Sequence, residues 1–304
     1  MQQYLRQCSL IVADKKGDGL DLSRLRVTFT ITKSDASTPN HAAIKVYNLA
    51  DTTVNQVRAE FTRVILKAGY EGNLGVIFDG TIKQTRVGRE DGVNSYIEIF
   101  AADGDEAHNF AYVNTTLAAG ATQANQITAA TVPMEQFGVT PGYTGDTGSA
   151  RLPRGKPMFG MSRDYLRQSA QSTSTTWSIQ DGRVNVVPLT GVLPGTAVVL
   201  SPSTGLIGTP EQTEDGISIK CLINPTLRVG GLVRLDGRVI LEGENKDAGK
   251  DGEAKVQSPL APDGVYRILT VGFDGDTRGT DWYANLVCLS ADLTAPKGEE
   301  VADV

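Results

Sequence analysis

Histidine is nearly absent from this chain of 304 residues: only His41 and His108 occur, far apart. Two imidazoles cannot build a His-rich metal cluster, and any Ser-His-Asp triad would have to use one of them. The run Gly160-Met161-Ser162-Arg163-Asp164 lacks the second glycine of a nucleophile elbow and follows no strand signal. Ser162 is expected to cap a helix instead. Cysteine is scarce too. Cys8, Cys221 and Cys288 form no C-x-x-C pair, and an odd count makes a poor disulfide framework. Cys221 and Cys288 lie in apolar, strand-like runs, where Cys packs as a small hydrophobe. The chain reads as one made in a reducing compartment.

Long apolar runs are missing as well. None approaches the roughly 18 residues of a membrane span. The N-terminus, MQQYLRQCSLIVADKKGDG, has no signal-peptide core or cleavage motif, so neither membrane anchoring nor the general secretion route is expected. The basic balance of a phosphate-gripping protein is absent: net charge is −6 and the pI about 5.1. That argues against a nucleic-acid binder but permits nucleic acid to pass without sticking. Neither a Walker lysine motif nor G-x-G-x-x-G spacing occurs. Asp274-Gly275-Asp276-Thr277-Arg278-Gly279 starts like a calcium loop. It departs at Arg278 and has Asn285 where a bidentate Glu belongs, so a hairpin turn is the better reading. The triplet Asn114-Thr115-Thr116 reads as polar loop. Nothing singles out a carboxylate pair for sugar hydrolysis. No catalytic, cofactor or metal residue is expected.

What is present is glycine, 33 residues of it, and a stretch that occurs twice. Gly75 to Asp103 reads GVIFDGTIKQTRVGREDGVNSYIEIFAAD, and Gly264 to Asp292 reads GVYRILTVGFDGDTRGTDWYANLVCLSAD. At a constant offset of 189 they align without a gap, with Thr81 on Thr270, Arg89 on Arg278 and Ala102 on Ala291. Each copy is two β-branched apolar runs around a polar turn, which is a hairpin signal. A strand-like run precedes each, VILKAG from Val64 and LVRLDG from Leu232. A duplicated β-unit of at least three strands follows, and such repeats govern the fold.

Along the chain, Leu10 to Val12 reads as a short strand, and Leu25, Val27, Phe29 and Ile31 alternate with polar residues as a half-buried strand does. Asp51 stands where a helix N-cap would, before Val54, Val57 and Phe61 at helical spacing. Thr122 to Phe137 reads as a weak helix limited by Pro133. Pro141 to Gly148 and Arg151 to Gly160 read as loop or linker. A better helix follows Ser162, and Asp181-Gly182 between alternating runs cues a hairpin. The segment 238–263 reads as a long, mobile loop and the C-terminus as a frayed tail. The expected fold is mainly β: two β-barrel domains, 1–103 and 197–294, flank a small α+β insert at 104–196, with a flexible tail at 295–304.

Several of these runs resemble bacteriophage baseplate hub proteins of Mu-like and related contractile-tailed phages. They are IKVYNLA from Ile44, KAGYEG from Lys67, IFDGTI from Ile77, the stretch Ser201 to Asp236, and GDTRGTDWY within Gly264 to Cys288. The resemblance spans nearly the whole chain. It implies a non-enzymatic homotrimer with two tail-tube-like barrels per subunit, needing no cofactor. Such a trimer joins the tail tube protein to the central spike and other baseplate proteins, with DNA only as passing cargo. It also implies assembly in the host cytoplasm and residence in the virion tail. Two units per chain in a trimer match a hexameric tube by pseudo-symmetry. The two hairpin turns are the expected assembly contacts: Arg86, Arg89, Glu90 and Asp91 in the first, Asp274, Asp276, Arg278 and Asp281 in the second. Two alternatives remain at this point: the hub or spike base of a related contractile injection system, and a hub with peptidoglycan hydrolase activity in the insert.

Overall fold

The computed structural model describes residues 5–14, 17–213, 216–235 and 264–291. The loop expected at 238–263 and the tail at 295–304 lie outside them. Period-two patterning becomes burial in β3 (Val27–Ser34), where Val27, Phe29 and Ile31 are buried and Thr30 and Thr32 exposed. β3 folds back on β4 (His41–Tyr47) with Ile31 opposite Ala42. α1 (Asp51–Ala59) then leads to β5 (Arg63–Tyr70), and β6 (Asn73–Glu90) turns into β7 (Asn94–Ala102) through Asp91 and Gly92, both at positive φ. With β1 (Arg6–Ala13) beyond β5 and β2 (Gly19–Asp21) at the rim, the first unit runs β3-β4-β7-β6-β5-β1-β2.

The second unit repeats that order. Its strands are β13 (Val198–Leu200), β14 (Leu206–Gln212), β15 (Ile217–Leu222), β16 (Leu232–Leu235), β17 (Val265–Asp276) and β18 (Trp282–Ser290). They run β14-β15-β18-β17-β16-β13. The sixth strand differs, since β1 lies antiparallel to β5 and β13 parallel to β16. Among the described residues the hydrogen-bonded path is open, and it passes between units because β17 pairs with β3. Residues of both units share a single hydrophobic core, with Ile44, Phe78, Tyr266 and Trp282 fully buried.

A shared β-bulge corrects the gapless alignment. Lys83 is the extra residue between Ile82 (opposite Ala101) and Gln84 (opposite Phe100). Leu269 is the extra residue between Ile268 (opposite Cys288) and Thr270 (opposite Val287). Superposing the bulges offsets β6 from β17 by 186 (269 less 83) and β7 from β18 by 187 (288 less 101). The second turn is therefore one residue longer, and the offset of 189 does not hold. Apolar alternation scores several registers alike, and a bulge switches the phase midway along a strand.

The insert has its own core around Ile127, Met134, Leu166 and Trp177. Its elements are α2 (Asp105–Phe110), β8 (Tyr112–Leu117), α3 (Gln123–Thr131), a 3-10 helix (Val132–Phe137), β9 (Thr140–Thr144), β10 (Lys156–Met161), α4 (Ser162–Thr173), β11 (Thr175–Gln180) and β12 (Arg183–Pro188). Two stretches expected as loop contain strands: β9 runs parallel to β12, and β10 pairs with β8. Both are edge positions, which tolerate proline. A Cβ on Gly142 would lie 2.3 Å from Asn185 Oδ1, so glycine there serves close approach. Two expected caps are also corrected. Asp51 and Ser162 are the first helical residues, after Ala50 and Met161, and neither N-cap side chain bonds the helix. Thr122 does cap α3, through a reciprocal pair with Asn125.

Candidate assembly surfaces

The junction between the units is built on the distal half of β17, which has a strand on each side. β18 pairs along one edge, and β3 pairs along the other from Thr270 opposite Ser34 to Asp276 opposite Thr28. Side chains reinforce this ladder. Arg26 grips Asp276 in a forked pair, Nη2 to Oδ2 at 2.7 Å and Nε to Oδ1 at 3.3 Å, and its guanidinium lies 4.6 Å from the Tyr47 ring centre. Burial opposes the Asp276 charge, but Arg26 and the Arg278 amide outweigh it and hold the carboxyl below the usual carboxylate range. The Thr30 hydroxyl and the Asn285 amide both donate to Asp274, at 2.9 and 3.0 Å. Thr277 exchanges two bonds with Val27, Arg278 donates to the Arg24 carbonyl, and Arg6 donates to the carbonyls of Gly279 and Thr280. Beneath them Phe29 meets Trp282 edge-on at 5.6 Å.

The second hairpin turn is thus held against the first unit of its own chain. Asp274, Asp276 and Arg278 come together there, while Asp281 is exposed and contributes its carbonyl to the Asp276 amide. In the first hairpin Arg86, Arg89, Glu90 and Asp91 are all exposed. Arg86 lies 4.8 Å from the Phe100 ring centre. Glu90 links this tip to the junction, since burial first and Glu90 second raise the Tyr47 pKa, and Glu90 also helps to raise that of Arg26.

Four residues that sequence reasoning did not single out as contacts carry the rest. Arg267, buried, donates to the carbonyls of Pro188 and Leu189 and to Asp35. Asp103, also buried, accepts from the amides of Asp181 and Gly182, the tight turn between β11 and β12. Burial, and then Asp181, push the Asp103 carboxyl up to about 6. Lys33 reaches Asp181 across the same seam, and the Asn40 amide donates to the Ile179 carbonyl and to Gln180. The insert is therefore pinned over the junction. Arg267 and Asp35 are separated by 232 residues, so no local pattern announces them.

On the face away from the core, the strands around the junction form a shallow cleft of about 540 Å³ that includes Lys45, Glu98, Lys220, Asp274 and Tyr283. Lys45 faces Glu98 at 3.8 Å, and Lys220 sits 4.2 Å from the Tyr283 ring centre. Among the described residues, no cluster of His, Cys, Asp and Glu is arranged to hold a metal ion, and no helix is long and apolar enough to cross a membrane.

The geometry is thus a duplicated six-strand unit, joined edge to edge and carrying an α+β insert. No protein-family model matches the chain, and no curated protein matches it in sequence. Solved structures do match. The 43 kDa tail protein of prophage MuSo2 from Shewanella oneidensis superposes with TM-score 0.58 at 8% identity, over 94% of this chain and 99% of that one. A tail protein from Neisseria meningitidis MC58 gives 0.56 at 10%, over 94% and 96%. The Escherichia coli c3393 protein gives 0.52 at 9%, over 87% and 73%; it is described as a component of the type VI secretion system similar to T4 tail proteins gp27 and gp5. The chain has the fold of these tail proteins, a fold it shares with the type VI secretion system component.

Proposed function

We propose that this protein is the structural baseplate hub of a contractile phage tail. Three copies form a collar that adapts the hexameric tail tube to the central spike, with other baseplate proteins around it and DNA passing through. The observation that carries the proposal is the internal repeat. Two units of the same strand order, joined through β17 and β3, supply six units from three chains. The face bearing Lys45, Glu98, Lys220 and Asp274 suits a channel wall, since opposite charges side by side offer a polyanion no net field to cling to. The proposed role is non-enzymatic, and in its support Asp35, Asp103, Asp274 and Asp276 are engaged in holding the units and the insert together.

A second reading, the corresponding hub of a type VI-like injection system, is favoured by the likeness to the E. coli component. Light scattering of the purified chain tests the proposal. A mass near three chains is expected; six chains would indicate a tube component. Clearing in a peptidoglycan zymogram would contradict the non-enzymatic reading and return the insert to consideration as a hydrolase.

A further inference from the structure

Lys33 sits where a lysine is seldom found. β3 alternates buried and exposed residues, and Lys33 falls in the buried phase after Val27, Phe29 and Ile31. Its strand partner Val271 is wholly buried. The ammonium meets Asp181, with Nζ 2.5 Å from Oδ1. The two residues are 148 apart in sequence and belong to different parts of the fold. Lys33 is on β3 of the first unit, and Asp181 is in the tight turn between β11 and β12 of the insert. That turn is fixed from several sides. Asp103, just past β7, accepts from the amides of Asp181 and Gly182. The Gln180 amide donates to the Ser34 carbonyl at 2.6 Å, and Asn40 accepts from the Ser34 amide while donating to Ile179 and Gln180. The packing is close: a Cβ on Gly104 would lie 2.7 Å from the Ile179 side chain.

We propose that Lys33 and Asp181 condense into an amide, an intramolecular isopeptide bond that ties the insert to the first unit. The atoms balance within the pair. One proton passes from Nζ to an Asp181 oxygen, and the neutral amine then attacks Cγ. A second proton follows to the same oxygen, its bond to Cγ breaks, and water leaves. Ammonium and carboxylate become amide and water, with no oxidant or activating group. Geometry favours the step, because a contact of 2.5 Å to Oδ1 puts Nζ about 3–3.5 Å from Cγ, the separation of a near-attack arrangement. The held turn keeps it there, and groups so held react as if at about 10⁵–10⁸ M. Burial favours the product. Free ammonium and carboxylate are kept apart in water by their hydration, much of which a buried pair has already lost, whereas a neutral amide costs far less to bury. The Lys33 side chain is 8% exposed and that of Asp181 38%, which leaves the released water an exit. Asp103, 2% exposed, repels the Asp181 charge that condensation removes. With Cys8, Cys221 and Cys288 all free, the amide supplies a covalent tie that disulfides do not. The inference is independent of the hub reading.

Mass spectrometry of the full chain, denatured after purification, tests it. A mass one water below that of the sequence is expected, with a branched peptide joining Lys33 to Asp181 in the digest. Lys33→Arg keeps the charge and should restore the sequence mass. Asp181→Asn should lose ammonia in place of water, since the same amine then displaces an amide nitrogen. The full sequence mass in the wild-type chain, with no branched peptide, overturns the proposal and leaves an ion pair only. A loss of water that persists in Lys33→Arg also overturns it, because Asp181-Gly182 can close a cyclic imide on its own backbone. The digest reads the wild-type chain directly, so a variant that fails to fold does not remove the test.

Discussion

Replacing Arg267 with Met tests how the three parts of the chain are held. Arg267 belongs to β17, yet its guanidinium reaches the insert at Pro188 and Leu189 (3.2 and 2.9 Å) and the loop after β3 at Asp35 (3.2 Å). The charged ends of the pair are 6% and 15% exposed, so neither is well screened by water. Burial lowers the Arg267 pKa and Asp35 opposes that, but an arginine remains charged at neutral pH. Methionine keeps most of the volume and removes every donor. Two carbonyls and a carboxylate then lose their cation in a poorly hydrated seam, and breaking a buried pair from one side costs about 3–5 kcal/mol. Urea unfolding of the full chain should show that loss. Arg267→Met with Asp35→Asn should recover part of it, with a coupling energy of about 1–3 kcal/mol. A single-variant loss below about 0.5 kcal/mol, the level of an ordinary surface change, or strict additivity in the cycle, would refute the reasoning.

Three further expectations concern the same seams. Asp103→Asn removes one of two acceptors and turns an amide donor toward a backbone N–H, for a loss of about 1–3 kcal/mol in chemical unfolding. The Asp103 carboxyl is raised from 3.8 to about 6, so its favourable contribution is complete below about pH 3.8 and declines as pH rises through about 6. The difference between wild-type and Asp103→Asn stability profiles should therefore fall across that window, by on the order of 3 kcal/mol; a flat difference would contradict the raised pKa. Gly275→Ala would set a methyl 2.3 Å from the Phe29 ring. Overpacking of that kind costs about 1–3 kcal/mol, and an unchanged denaturant midpoint would show that the junction is looser than described.

Local pattern carried much of this fold, and distance in sequence hid the rest. Alternation around Val27 to Ile31 became β3, Asp181-Gly182 became a turn with both residues at positive φ, and Pro133 marks the change from α3 to the 3-10 helix. Cys221 and Cys288 entered the core as their apolar neighbours implied. Register was not legible, because the bulges at Lys83 and Leu269 leave no composition signal. β9 and β10 were missed because glycine and proline, read as punctuation, here serve edge strands packed close to their neighbours. The candidate assembly contacts divided likewise. Turn composition placed the hairpins but set their turns too wide, at Arg86 to Gly92 and Asp274 to Asp281: Arg86–Glu90 belong to β6 and Asp274–Asp276 to β17, so the turns themselves are residues 91–93 and 277–281. Nothing local indicates that Arg26, 250 residues from Asp276, docks the second of them internally.

An image reconstruction of the tail end, with the chain in place on its tube, reaches the central claim most directly. Three copies are predicted, their six units spaced about a pseudo-sixfold axis and alternating between junctions inside a chain and junctions between chains. Six copies, or three whose paired units do not superpose round the ring, would contradict it.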